Sequence, residues 1–351
     1  MAEENWQDAG MPRIDLDAIE EEWEEDAAPP APPRSRASRE RVDLTRNPLG
    51  RVIGLHKGWL DVEVDGEKLQ AVYAGKMRGE QVAVGDRVRV RLPRQPSDTA
   101  RVVGRLERDT VLLRTADDVL GEERIVVANA DLVIVVLASE EPEVGARFVD
   151  RVLVSASAGG LDGAVCVNKI DLPGDTSEIV SRYARLGYQV VRTSAVTGEG
   201  LEDLGRLIAA RWAVLAGHSG VGKTSLFNRI VPGANREVGE LGRYGGRHTT
   251  VSPRAEQVPK PDPTPEPTPG AAETWLVDTP GLRSFGIAHV QPHDLANHFP
   301  ELRDLDCGLQ DCLHDGEPGC RAPALVGETI HPARIESYRR FLTALRGDPL
   351  E

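Results

Sequence analysis

The stretch that most constrains this chain is Trp212 to Leu226, WAVLAGHSGVGKTSL. Its first five residues are apolar enough for a buried strand, and they run directly into Gly217, His218, Ser219, Gly220, Val221, Gly222, Lys223 and Thr224, a complete GxxxxGK[ST] pattern. Strand, glycine turn and helix in succession aim a row of backbone N–H groups and a positive helix end at a phosphate. In that frame Lys223 reaches the β- and γ-phosphates, the Thr224 hydroxyl coordinates magnesium, and Ser225 completes the phosphate-binding turn. The expectation is an α/β domain that binds a nucleoside phosphate, with SLFNRI as the helix after the loop.

The base is specified elsewhere. Ala130 to Ala138 reads as a strand buried on both faces, Arg147 to Val154 as a helix, and Gly163 to Val167 as a second buried strand that ends in Asn168, Lys169, Ile170 and Asp171. NKxD after a strand is a guanine-specificity motif. The Asp171 carboxylate accepts from the ring N–H and the exocyclic amine of guanine, groups that adenine presents differently, and discrimination of this kind reaches ~10⁴. A third strand, Tyr188 to Arg192, leads to Thr193, Ser194 and Ala195, a loop whose backbone N–H meets the guanine carbonyl, and Gly200 to Arg211 reads as a helix.

The remaining parts follow the phosphate loop. Gly246 to Thr250, GRHTT, supplies a switch threonine, Thr250 or Thr249, as a magnesium ligand beside Thr224. Trp275 to Val277 is a strand ending in Asp278, Thr279, Pro280 and Gly281, where Asp278 holds the magnesium shell through water and the Gly281 N–H meets the γ-phosphate. The next residue, Leu282, cannot position an attacking water. His248, beside the switch threonines, is the nearest candidate for that catalytic role, its alternative being an ordinary surface residue of the switch. The order is permuted: NKxD and TSA come before the phosphate loop, and DTPG leads straight into the C-terminal region, so nucleotide state can move a terminal domain.

The flanks have their own textures. Of the first 26 residues eleven are Asp or Glu and only Arg13 is basic, and a proline cluster follows, so 1–40 is expected to be a disordered acidic and proline-rich tail; DLDAIEEEW is a possible short helix on a partner. Residues 41–109 alternate short apolar runs with glycine turns, which indicates a small antiparallel β-barrel of the OB type. Although the chain carries a formal charge of -14, the stretch from Arg41 to Arg105 is net +5. Arg87, Arg89 and Arg91 share one strand face, and with Arg94, Arg101 and Arg105 they form either a solvated face or a groove following an RNA backbone; the linked nucleotide motifs favour RNA.

Residues 110–286 are assigned to the nucleotide domain, with 254–274 as a proline-rich protruding loop. Residues 287–351 form a mainly α region in which Cys307, Cys312, His314 and Cys320 make a set suited to one structural, tetrahedral zinc; Cys166, in an apolar strand, reads as a core residue. A last helix, about Arg334 to Arg346, has Ile335, Tyr338, Leu342 and Leu345 on one stripe and several arginines off it. No apolar run approaches the ~20 residues of a membrane span and the acidic N-terminus resembles no signal peptide, so a soluble cytoplasmic protein without a membrane partner is expected; a monomer is the expected state.

In the order NKID, TSA, GHSGVGKTSL, GRHTT, DTPG, after a barrel and VVANADLVIVV and before C-x4-C-x-H-x5-C, the chain resembles the ribosome small-subunit-dependent GTPase A family, RsgA or YjeQ, from about Leu44 to Arg346. The resemblance implies a circularly permuted GTPase that turns GTP into GDP, binds the 30S subunit late in its maturation, is stimulated by it and leaves after hydrolysis. It also implies an OB barrel on ribosomal RNA, a zinc region on the subunit and a catalytic switch histidine at His248. The acidic tail and the proline-rich insertion depart from the family pattern. A guanine-nucleotide-switched protein with a non-ribosomal RNA target is the alternative; a zinc-dependent nucleic-acid enzyme is disfavoured because four protein ligands leave the metal no open position.

Overall fold

A computed structural model describes residues 46–77, 79–95, 98–115, 123–140, 142–234, 252–259, 273–280, 285 and 287–347. The expectations for the tail 1–40, for His248, Thr249 and Thr250, for Gly281 and Leu282, and for the middle of the proline-rich stretch lie outside the described residues.

Strands with one dry face come first: β1 (Leu49–Leu55), β2 (Leu60–Val64), β3 (Glu67–Tyr73), β4 (Arg87–Arg91) and β5 (Ala100–Arg105). Their inward residues, among them Val52, Leu60, Val62, Val88, Val90 and Val102, are fully buried in a common core. The strands follow the order β1-β2-β3-β5-β4, and β4 returns to β1, which closes a five-stranded barrel. One pairing differs from the expected antiparallel set: β3 and β5 run parallel. Alternation fixes which face of a strand is buried but not the direction of its neighbour, which depends on the route of the connection. A hairpin that the sequence did not suggest, β6 (Val111–Thr115) with β7 (Glu123–Ala128), is bridged to the barrel by Val84 and Val127.

The long apolar runs then build a parallel sheet. In chain order they are β8 (Leu132–Ala138), α1 (Pro142–Ala158), β9 (Asp162–Asn168), α2 (Ser177–Arg185), β10 (Gln189–Arg192), α3 (Leu201–Ile208), β11 (Trp212–Ala216), α4 (Lys223–Ile230), β12 (Arg254–Gln257) and β13 (Trp275–Asp278). The spatial order is β10-β9-β8-β11-β13-β12, with the first five parallel and β12 antiparallel to β13. Helix α1 outruns its expected bounds, whereas α3 ends early, where Ala209 turns extended and Ala210 takes a positive φ of 58°. The stretch expected as a proline-rich loop from 254 begins instead as β12, whose Ala255 is buried.

Barrel and sheet are joined. Gly54 of β1 pairs with Arg254 of β12. Arg51 of β1 lays its guanidinium 3.4 Å over the ring of Trp212, which itself stacks on Trp275 at 5.1 Å. The same guanidinium donates to the carbonyls of Gly85 and Asn129. Burial draws Arg51 down to about 10 despite the attraction of Asp131.

The C-terminal region consists of a 3-10 turn, Pro292–His298, a short helix α5 (Ala322–Leu325) and α6 (Pro332–Arg346). Ile335, Tyr338 and Leu342 are buried as the stripe predicts, joined by Phe341 and packed on Leu295, Phe299 and Leu302. One arginine breaks the expected pattern: Arg334 is 1 % exposed, because Asp150 and Glu301 meet it in the interior. Among the described residues no helix is long and apolar enough to cross a membrane.

Arg51→Ala removes two hydrogen bonds and the stacking on Trp212. Urea denaturation should report a loss of about 1–3 kcal/mol, with guanine-nucleotide affinity retained.

Candidate functional site

Four parallel strands deliver their chemistry at their carboxyl ends, the edge where open α/β sheets bind ligands. β9 ends at Asn168, β10 at the loop from Thr193, β11 at Gly217, and β13 at Asp278. The motifs separated in sequence are therefore neighbours.

Asn168 ties three of them together. Its Nδ2 donates to the Val221 carbonyl of the phosphate loop at 2.9 Å, and its Oδ1 accepts from the Thr193 hydroxyl at 3.1 Å and the Ala195 N–H at 3.3 Å. The side chain is 1 % exposed, so each bond replaces one that water would otherwise supply. Close approach also explains Gly222: its φ is +93°, and a Cβ there would lie 2.3 Å from Asn168 Nδ2.

Asp171 is exposed, and its Oδ1 accepts from the buried Ser194 hydroxyl at 2.5 Å, so the carboxylate is aimed rather than free to rotate. Ser194 Oγ accepts in turn from the Val196 and Thr197 N–H groups, which shapes the loop carrying Ala195. Lys169 adopts a positive φ of 64° and pairs with Glu140 at 3.3 Å. The geometry suits a planar base held by carboxylate and backbone N–H.

The phosphate end is equally built. Gly217, His218, Ser219, Gly220 and Val221 form the turn, and α4 starts at Lys223 and carries Thr224 and Ser225 in its first turn. Lys223 Nζ donates to the carbonyls of Gly217 and His218, both at 2.7 Å. Burial lowers this ammonium to about 8, and Asp278 only partly offsets the shift. Thr224 Oγ1 lies 3.3 Å from Asp278 Oδ2, which brings the two expected magnesium-shell groups together. His218 stacks obliquely on Phe148 at 4.1 Å; loss of solvent and then the Lys223 charge lower its pKa.

Several supporting hydrogen bonds lie outside the roles that the motifs assign. Ser139 donates to the Lys169 carbonyl at 2.6 Å, Thr279 donates to the Leu215 carbonyl at 2.7 Å, and Thr193 orients Asn168. Cys166 is a core residue as expected, its thiol pushed up to about 12 by burial and lying 3.2 Å from the Thr193 hydroxyl.

In the C-terminal region, Cys307, Cys312, His314 and Cys320 converge, with one donor atom from each lying within 4.8 Å of all the others. His314 Nδ1 is 3.4, 3.6 and 3.9 Å from the sulfurs of Cys307, Cys312 and Cys320. Metal bonds of ~2.1 to ~2.3 Å in a tetrahedron require donor separations of about 3.5–3.8 Å, so the set fits a zinc-sized ion.

The six barrel arginines divide into two groups. Arg87 pairs with Asp109 and the Glu107 carbonyl, Arg89 with the Asn47 carbonyl and Arg105 with the Leu106 carbonyl. Arg91, Arg94 and Arg101 instead line a cavity of about 650 Å³ with Leu92, Pro93, Asp98 and Thr99.

The RsgA GTPase family profile matches residues 105–288. The chain is 35% identical over 319 residues to the small ribosomal subunit biogenesis GTPase RsgA of Pseudomonas putida, covering 87% of this chain and 88% of the relative. It is 34% identical to the protein of that name from Gemmatimonas aurantiaca, covering 87% and 99%. Among solved structures, YjeQ from Thermotoga maritima matches with a TM-score of 0.65 at 28% identity, covering 86% of this chain and all of that one. YloQ, described as a circularly permuted GTPase, shares the fold with a TM-score of 0.60 at 22% identity, covering 87% and 97%.

A bound phosphate restores the Lys223 charge, so nucleotide binding should take up a proton above about pH 8 and weaken as pH rises further, by at most about tenfold per unit. Calorimetry in buffers of different ionisation enthalpy reads this directly; binding without proton uptake at about pH 9 would contradict it. Purified protein should carry about one equivalent of zinc, and chelation should raise hydrogen exchange in 305–325 well before it does in the sheet. Metal-free protein with unchanged exchange there would refute the zinc assignment.

Proposed function

The chain belongs to the RsgA GTPase family, and from that premise we propose that it hydrolyses GTP on the 30S ribosomal subunit late in its maturation, with hydrolysis stimulated by the subunit and coupled to release. The observation that carries the nucleotide chemistry is Asn168, whose one side chain joins the base-binding loops to the phosphate loop. The relatives' shared description as small ribosomal subunit biogenesis GTPases supports the partner.

In this reading Asp171 and the Ala195 N–H select guanine, and Asn168 and Lys169 hold the loop that presents them. Backbone N–H groups from Gly217 to Ser225 and the Lys223 ammonium receive the phosphates. Magnesium, held by Thr224 and Thr250 or Thr249, with Asp278 acting through water, would neutralise the charge between the β- and γ-phosphates. Gly281 meets the γ-phosphate, and His248 orients the attacking water in place of the side chain that Leu282 cannot supply.

The chain is proposed to divide its work between a barrel at 41–109, a GTPase domain at 110–286 and a zinc-holding region at 287–351. The cleft of Arg91, Arg94 and Arg101 suits an RNA backbone, because cations gathered along one groove neutralise phosphates and release their counterions. The zinc is structural, and the protein acts as a monomer in the cytoplasm.

Steady-state hydrolysis with and without purified 30S and 50S subunits, with ATP as control, tests the proposal. Slow GTP turnover should rise by at least about a hundredfold with 30S alone, and His248→Ala should lose most of that gain while GTP affinity stays within about twofold. Stimulation by an unrelated RNA in place of 30S would favour a non-ribosomal target.

A further inference from the structure

Helix α1 belongs to two hydrophobic cores at once. Its Val149, Val152 and Leu153 pack in the core of the parallel sheet, whereas Val154 is buried with Leu295, Phe299 and Tyr338 of the C-terminal region. One helix therefore cannot shift against the sheet without disturbing the second core.

Near its start, α1 touches the nucleotide machinery. Phe148 meets the His218 ring of the phosphate loop at 4.1 Å and, edge to face, Phe285 at 5.5 Å. Phe285 lies downstream of Asp278 and is 1 % exposed. The same helix turn then holds the C-terminal region by charge. Arg334 Nη1 of α6 donates to Asp150, while its Nε and Nη2 donate to the two oxygens of Glu301 at 2.6 and 3.2 Å. Burial works against the guanidinium charge, but the two carboxylates outweigh it and raise the Arg334 pKa. The Tyr183 hydroxyl, kept protonated chiefly by burial and by the Asp150 charge, braces Asp150 at 2.8 Å.

Such a cluster does not shear. Parting either carboxylate from Arg334 would strand a buried charge, so displacement of α1 carries α6 and the Glu301 turn with it. Arg151 above the Phe341 ring at 5.8 Å and Ser157 beside His298 at 3.0 Å extend the attachment along the helix. Guanine selection and magnesium binding require none of Phe148, Asp150 or Arg334.

We propose that α1 is a rigid relay between the phosphate loop and the C-terminal region, with Phe148 as its input and the Asp150, Arg334 and Glu301 cluster as its output. The relay rests on nucleotide binding at the loop as proposed above. Coupling is reciprocal: a partner that holds the C-terminal region in one position shifts the ratio of GTP to GDP affinity by the same factor that nucleotide shifts partner binding. Phe148 and Asp150 are positioning residues, since they act through His218, Phe285 and Arg334.

Glu178 and His331 allow a test outside the buried cluster, because Glu178 belongs to α2, whose Ile179 packs in the sheet core, and lies 3.5 Å from His331 at the start of α6. Zinc-loaded, full-length E178C/H331C protein is oxidised in the presence of GDP or a non-hydrolysable GTP analogue, with nucleotide occupancy confirmed by titration and the cross-link identified by peptide mass. The two nucleotides should give cross-linking rates differing by about fivefold or more, the lower end of ordinary coupling. Adding Phe148→Leu, or Phe285→Leu on the other side of the same contact, should bring the rates together while both nucleotides still bind. Equal rates in the parent protein with both nucleotides bound overturn the relay and leave the GTPase assignment standing. A rate difference that survives both leucine variants removes Phe148 as its input. Failure to bind either nucleotide would defeat the underlying functional reading instead.

Discussion

The whole arrangement depends on parallel pairing of β11 between β8 and β13. Val214 pairs with Val133 on one side and with Val277 on the other, so the phosphate loop, the DTPG segment and the base-binding loops leave the sheet in the same direction. These strands are buried on both faces, and a register slip or reversal would take apolar side chains out of their layers and scatter the loops. Burial thus performs the first step of the chemistry. It fixes the sites from which short polar side chains, above all Asn168, can reach one another.

Connectivity is secondary to that geometry. The base-binding segments precede the phosphate loop in the chain, yet in space they flank it, because the sheet order sets neighbours regardless of where the chain begins. The permutation does change what each strand is attached to. β13 leads onward to the C-terminal region, while Trp212 and Trp275, at the other ends of β11 and β13, stack together under Arg51 of the barrel. The barrel therefore grips the two strands whose opposite ends carry the phosphate loop and Asp278. A load on the barrel and a change at the phosphates act on common strands.

The positions of the proposed nucleotide residues were legible because such chemistry demands particular side chains at fixed spacing beside apolar runs: Lys223, Thr224, Asn168, Asp171 and Asp278 all stand at or just beyond strand ends, at the edge where the loops gather. The Cys3His set was legible for the same reason. What the sequence did not disclose depends on tertiary adjacency. Ser139 serves through a single hydrogen bond to the Lys169 carbonyl, and a lone hydroxyl carries no spacing signal; Thr193 and Thr279 sit inside TSA and DTPG, but those motifs do not give the partners of their hydroxyls. Arg334 is buried without belonging to the apolar stripe of its helix, because helical periodicity cannot foresee that Asp150 and Glu301 wait in the interior. The row of barrel arginines looked uniform, yet Arg87, Arg89 and Arg105 are taken up by local acceptors and only Arg91, Arg94 and Arg101 share the cleft.

In the C-terminal region, the proposed zinc would supply order that the chain around its ligands lacks. The segment from Cys307 to Cys320 contains no helix or strand, so its backbone has few partners of its own. Glu317 accepts from the Leu313 and Asp315 N–H groups at 2.9 and 3.0 Å, and the Tyr338 hydroxyl of α6 donates to the Leu313 carbonyl at 2.5 Å. These bonds order the ligand loop but bury little apolar surface, and small regions of this kind draw their stability from a metal instead. Tyr338 and Arg334 stand on the same helix. Ion binding by the cysteine cluster would therefore steady α6 at Tyr338, one turn on from the Arg334 that Asp150 and Glu301 hold, so the ligand loop and α1 act on the same stretch of helix without touching the nucleotide site.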